Sequence, residues 1–190
     1  TGACELLLEG HEASVNFAAF APDGRSIVTA SDDGTARIWS TDIGECLQRL
    51  LGHRGAVYSA LFAPDSTRVL TASEDGTAKI WGAKHGCCER TFRHGCPVLS
   101  ATFSPDLRAV RTVGQDGTLK VWSCKTGMCD RTLLGQSSSS YVAAFSSDGE
   151  LFVAPSGESH AKIYSTASGT CVQELRGHGG IVLSASFAQL

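Results

Sequence analysis

From Val15 onward the chain alternates short apolar runs with polar turns. Val15 to Phe20 is a run of small and apolar residues closed by Ala21-Pro22-Asp23-Gly24, a composition that predicts a strand followed by a tight reversal. Ser26 to Ala30 is rich in β-branched residues and predicts a second strand. Asp32-Asp33-Gly34 follows as a hairpin turn, where glycine supplies the positive φ such turns need. Thr35 to Trp39 predicts a third strand. Cys46 to Leu50, reached through Asp42-Ile43-Gly44, predicts a fourth. These runs have the length of strands rather than helices.

The whole pattern then repeats. Ile38-Trp39, Ile80-Trp81, Val121-Trp122 and Ile163-Tyr164 lie 42, 41 and 42 residues apart. His11, His53, His94 and Gln136 each precede the following Trp or Tyr by 28 residues. Phe20, Phe62, Phe103, Phe145 and Phe187 each lie nine residues after their His or Gln. A fixed period of this length marks a repeat architecture. Four strands in each period leave no room for a helix, so the fold is all-β.

Gly10-His11, Ser-Asp-Asp-Gly-Thr at 31–35 and Ile-Trp-Ser at 38–40, recurring in register, resemble the WD repeat. Ser40 or Gly82 stands where the eponymous Asp often sits. The resemblance covers essentially the whole chain and implies β-propeller blades, each a four-stranded antiparallel sheet. Full repeats are expected at 10–51, 52–92, 93–134 and 135–176, with partial strands within 3–9 and 177–190. The chain should therefore open on an outer strand (Cys4 to Leu8) and end after an inner one (Ile181 to Phe187). Because propellers of the family commonly close with seven blades, four imply an open arc with apolar end flanks. Remaining blades are expected on a longer chain, as is a parent reading frame, since the chain starts at Thr1 and its one methionine is Met128.

Composition narrows the function classes. Hydrophobic residues make up 42% of the 190 and charged residues 18%, as in a globular domain. A formal net charge of −3 offers no basic field for nucleic acid. No apolar run approaches a membrane span and no leader is visible. No Walker-type or GxGxxG run points to a nucleotide, so no cofactor is expected.

His11, Ser31 and Asp33 have the residue types of a hydrolytic triad. The second repeat, however, carries His53, Ser73 and Asp75 at the same spacing, and catalysis needs one site rather than several. By resemblance these residues form structural hydrogen-bonded tetrads: His11-Ser31-Asp33-Trp39 and His53-Ser73-Asp75-Trp81. A third set, His94-Asp116-Trp122, has Gly114 for the serine. The fourth repeat keeps only Ser156, with Gln136, Glu158 and Tyr164 elsewhere and Pro155 beside it, and should be the least rigid. Arg111 departs from Val28, Leu70 and Val153 at the same strand position, either as local decay or as a functional guanidinium.

Five of the eight cysteines (Cys4, Cys46, Cys88, Cys129 and Cys171) follow the period and are expected to pack as small apolar residues. Cys87, Cys96 and Cys124 fall outside it, and no CxxC spacing occurs, so no metal site is expected. Free thiols in this number favour a reducing compartment, cytoplasmic or nuclear. Arg37, Lys79, Lys120 and Lys162, each two residues before the Trp or Tyr, are expected as solvated strand ends. Ser137 to Ser140 reads as a loop.

In the resembled family, partners commonly dock on the face carrying the His loop and hairpin turn. That implies Asn16, Tyr58, Leu99, Tyr141 and Leu183 as contact positions, with Asp32, Glu74, Gln115 and Gly157 beside them. Aromatics next to carboxylates suit a peptide with a basic residue between apolar ones. The expected function is a non-catalytic scaffold or adaptor for proteins or peptides. The alternative is a sensor or substrate-recognition array of a multidomain signalling enzyme such as an NTPase, kinase or ubiquitin-ligase subunit.

Overall fold

The computed structural model describes residues 4–134, 144–146, 148–155, 159–182, 185 and 187. They form four antiparallel sheets, none closed into a barrel, and among the described residues there is no helix. The first sheet is β1 (Val15–Phe20), β2 (Ser26–Ser31), β3 (Ala36–Ser40) and β4 (Cys46–Leu50). The second is β5 (Val57–Phe62), β6 (Arg68–Ser73), β7 (Thr77–Gly82) and β8 (Cys88–Arg93). The third is β9 (Val98–Phe103), β10 (Ala109–Gly114), β11 (Thr118–Ser123) and β12 (Cys129–Leu134). The fourth is β13 (Ala144–Phe145), β14 (Leu151–Pro155), β15 (His160–Ser165) and β16 (Cys171–Arg176).

Every sheet is a meander in which sequence neighbours pair. Turn chemistry fixes this locally. Gly34, Gly76 and Gly117 close the second hairpin of their sheets at φ of 79°, 78° and 76°, a conformation that costs a side-chain-bearing residue energy. Asp33, Asp75 and Asp116 each accept the backbone N–H two residues on, across that glycine.

The sheets bury their faces against one another in chain order. Val28, Ile38 and Leu50 of the first pack with Val57, Val69 and Trp81 of the second. Leu70, Ile80 and Phe92 of the second meet Val98, Val110 and Trp122 of the third. Val113 and Leu119 of the third meet Phe152 and Tyr164 of the fourth. The core is thus a series of inter-sheet layers, the arrangement of an incomplete propeller. Its first flank lies open: Val15 is 52% exposed and Phe20 68%.

Several expectations need correction. Residues 4–8 form no strand, nor do the described residues after 180. A lone outer or inner strand has no described neighbour to complete its ladder, and strand structure needs that partner. Val182 is nonetheless buried against Val153 and Ala161.

The periodic cysteines are exposed rather than packed inside. Cys46, Cys88, Cys129 and Cys171 each begin an outer strand on the rim and donate Sγ–H to the carbonyl two residues on. The basic residues before each Trp or Tyr fold back on their sheets instead of reaching solvent. Arg37 is buried over Trp39, Lys79 donates to Thr91 Oγ1, Lys120 lies over Trp122, and Lys162 pairs with Glu174.

Candidate functional site

The first two sheets carry the same directed relay. Trp81 Nε1–H donates to Thr71 Oγ1 at 2.8 Å, and Thr71 Oγ1 lies 2.7 Å from His53 Nε2. His53 Nδ1 lies 2.8 Å from Asp75 Oδ2, and because a carboxylate only accepts, Nδ1–H is the donor. Asp75 also accepts from Thr77 N, Thr77 Oγ1 and Arg54 N. Burial lowers the His53 pKa, with Lys79 adding to it and Asp75 opposing, so the ring is neutral. Burial alone would raise the Asp75 carboxyl, but the bonds from Thr77, His53 and Arg54 hold it down at about 2. Trp39, Thr29, His11 and Asp33 repeat these bonds at 2.7, 2.6 and 2.8 Å. Against its own burial, Asp33 is held well below the usual carboxylate range by Thr35 and His11.

The hydroxyl between His and Trp is therefore threonine, two residues before the serine expected there. Ser31 and Ser73 instead donate to the carbonyls of Ala13 and Gly55 and accept the N–H of Asp33 and Asp75. Position along the strand explains the shift, since threonine and serine, two residues apart, share one face of the sheet. Thr29 and Thr71 lie two positions from Ile27 and Val69, the cross-strand partners of Trp39 and Trp81, whereas the serines sit at the strand end and tie down the turn. No Ser Oγ touches a His ring, so the geometry of a nucleophile and base is absent from these two sets.

The third sheet is wired differently. Thr112 Oγ1 still accepts from Trp122 Nε1 at 2.8 Å, so the hydroxyl link survives without the serine. Here it is His94 Nδ1 that meets Thr112, while Nε2 faces Thr118 Oγ1 at 2.7 Å. Lys120 Nζ donates to the His94 carbonyl. Burial, reinforced by Lys120 and opposed by Asp116, lowers the His94 pKa to about 4. His94, Cys96 and Asp116 place a ring nitrogen, a thiol and a carboxylate oxygen within 4.8 Å of one another. Cys96 is a site residue that spacing could not find, because its partner Asp116 is 20 positions away. The signal available was the joint exchange of Gly114 for Ser73 and Cys96 for Gly55.

In the fourth sheet Ala154 stands at the threonine position, and Tyr164 stacks on Phe152 at 4.9 Å and 12°. Gln136, Ser137 to Ser140, Tyr141, Ser156, Gly157, Glu158 and Leu183 lie outside the described residues. Arg111 lies over Phe145 at 5.8 Å, with Nε and Nη1 buried and without a partner.

The proposed contact residues share a backbone device. In β1, β5 and β9 the pairing register skips one residue, and the residues skipped are Asn16, Tyr58 and Leu99. A β-bulge frees its extra side chain from the alternation of the ladder and re-aims it. Asn16 Nδ2 donates to Asp32 Oδ1 at 2.7 Å and to the Val57 carbonyl at 3.1 Å, joining the first two sheets. Burial raises the Tyr58 pKa, and the nearby carboxylates of Glu74 and Asp32 raise it further. Asn16, Asp32, Tyr58 and Glu74 thus form one acidic, aromatic corner; Leu99 occupies the equivalent bulge one sheet on.

The family described as WD domain, G-beta repeat matches residues 2–40, 44–82 and 86–123, more than half of the chain. WD repeat-containing protein 38 of Mus musculus is 51% identical over 39 residues, 20% of this chain and 13% of that protein. WD repeat-containing protein 86 of Homo sapiens is 47% identical over 36 residues, 19% of this chain and 10% of that protein. Vegetative incompatibility protein HET-E-1 of Podospora anserina is 48% identical over 42 residues, 22% of this chain and 3% of that protein. Each matched stretch is about one repeat long and spans a small fraction of the relative's length. Three matched repeats and four meander sheets together show that the chain belongs to the WD-repeat family.

Proposed function

We propose that this chain is a non-catalytic scaffold or adaptor that binds a peptide or protein loop at the corner formed by Asn16, Asp32, Tyr58 and Glu74. WD repeats generally mediate protein–protein interaction, and the family is generally non-catalytic. The observation that carries the reading is the bulge repeated in three innermost strands, which turns Asn16, Tyr58 and Leu99 out of their ladders. Two carboxylates beside a phenol and a leucine favour a ligand with a basic residue between apolar ones. The cation would take charge-assisted bonds and the ring would supply contact area. The exposed thiols suit a reducing intracellular compartment.

The test uses fluorescent peptides carrying one lysine or arginine flanked by leucines, read by anisotropy. Tyr58→Ala should weaken binding by about tenfold or more with the melting temperature unchanged. Equal affinity in the variant would remove this corner from the proposal.

A further inference from the structure

We propose that His94, Cys96 and Asp116 form a binding site for a zinc-like divalent ion beside Gly114, where the lack of a side chain leaves the three donors room to converge. The donors are the ring nitrogen Nε2, the thiol Sγ and the carboxylate Oδ1. A Cβ built on Gly114 would stand 2.5 Å from His94 Nε2, 2.6 Å from Cys96 Sγ and 2.8 Å from Asp116 Oδ1. That point is one covalent bond from Gly114 Cα, so the ion would sit farther out, among three donor atoms that lie within 4.8 Å of one another and that small side-chain shifts would bring to metal–ligand bonds of about 2.0–2.3 Å.

Two coordinated exchanges produce this hollow, and neither occurs in the first two sheets. Ser31 and Ser73 have become Gly114, which removes the side chain that fills the space. Ala13 and Gly55, two residues after their His, have become Cys96, which brings in a thiol from the opposite loop. The imidazole is also presented differently. In the first two sheets Nε2 is engaged by threonine and Nδ1 by aspartate. In the third, Thr112 holds Nδ1 and Nε2 faces the hollow. A ligand histidine whose other nitrogen is fixed by a hydroxyl has the outer-shell support that metal sites use.

The donor set selects the ion class. Sulfur, imidazole and carboxylate together suit zinc or cobalt rather than magnesium or calcium, which take oxygen. On binding, Nε2 gives up its contact with Thr118 Oγ1, and Cys96 releases its proton to solvent. The thiolate and the Asp116 carboxylate then balance the two positive charges. Three protein donors leave a fourth tetrahedral position for water. Cys96 also lines a cleft of about 410 Å³ bordered by Glu74, Gly95 and Pro97. The rival account is size compensation, in which sulfur merely fills the space a serine left.

The experiment titrates the reduced, chelator-stripped 190-residue chain with cobalt(II). A thiolate-to-cobalt charge-transfer band should rise and saturate at one ion per chain, and zinc should bleach it. Cys96→Ser and Gly114→Ser should abolish the band, whereas Cys124→Ser should keep it. Zinc should raise the melting temperature of the parent chain and leave that of Gly114→Ser unmoved. Gly114→Ser restores the residue of the first two repeats, so circular dichroism should show it folded without metal. Absence of the band in the parent chain, or its persistence in a folded Cys96→Ser or Gly114→Ser, would establish size compensation and overturn the site.

Discussion

In the second sheet, Trp81 is anchored by a hydroxyl, an imidazole and a carboxylate, whereas in the fourth Tyr164 rests flat against Phe152 with Ala154 at the hydroxyl position. Both aromatics are buried, at 1% and 4% exposure. Both occupy the same register, opposite Val69 and Phe152 respectively. The second sheet uses directional bonds that fix one arrangement and leave costly unpaired groups if any member is lost. The fourth uses stacking, which tolerates small displacements and has no such all-or-none character. Stability in the second sheet should thus be sensitive to single atoms, and in the fourth to ring area.

The largest break in this contrast comes from Trp81→Ala, which should cost about 3–5 kcal/mol in urea denaturation. Thr71→Val removes one oxygen but strands both Trp81 Nε1 and His53 Nε2 in a buried setting. It should cost about 2 kcal/mol; a loss below about half a kcal/mol would show that the relay carries little of the sheet's stability.

Acid offers a third route. Asp75 titrates at about 2 in the fold against an ordinary 3.8. Its contribution is present above pH 4 and disappears as pH falls toward 2, about 2 kcal/mol in all. His53 acts in the same direction at higher pH, since a lowered imidazole pKa means the unfolded chain binds its proton first. Stability should therefore begin to fall below about pH 6.5. Asp75→Asn should flatten the lower limb of the profile. The smallest effect belongs to Tyr164→Phe, which preserves the stack and should change stability by less than about 0.5 kcal/mol.

The sequence-based expectations succeeded where the period had a ruler. The four strands per repeat, the hairpin glycines and, in the first two sheets, the His–Asp contact follow from residues that recur at fixed spacing. In the third, His94 meets Thr112 and Thr118 instead of the expected Asp116. The relay hydroxyl was misassigned because Thr29 and Ser31 recur equally well on one face of the strand, and only the distance along it from the Trp decides which hydroxyl is reached. The exposed cysteines were misread because periodicity shows that positions are equivalent without showing whether they face inward or outward. Cys96 was invisible for a third reason. Its significance depends on a side chain missing from Gly114, and a missing side chain has no period of its own. The strand expected at 4–8 is not formed, and the described residues after 180 show none, because a ladder is a property of two segments, and spacing within one segment carries no information about its neighbour.

The bulges at Asn16, Tyr58 and Leu99 have a consequence for how such a protein can diversify. Ladder positions are constrained twice, by the partner strand and by the layer they face, so exchanging them disturbs packing. A bulged residue belongs to no pair. An amide, a phenol and an isobutyl group occupy the same backbone slot in three consecutive sheets with the register on either side unchanged. Under the proposed function, Tyr58 and Leu99 could therefore change what the surface meets without disturbing the ladders, whereas Asn16 is held back by its bond to the Val57 carbonyl of the next sheet.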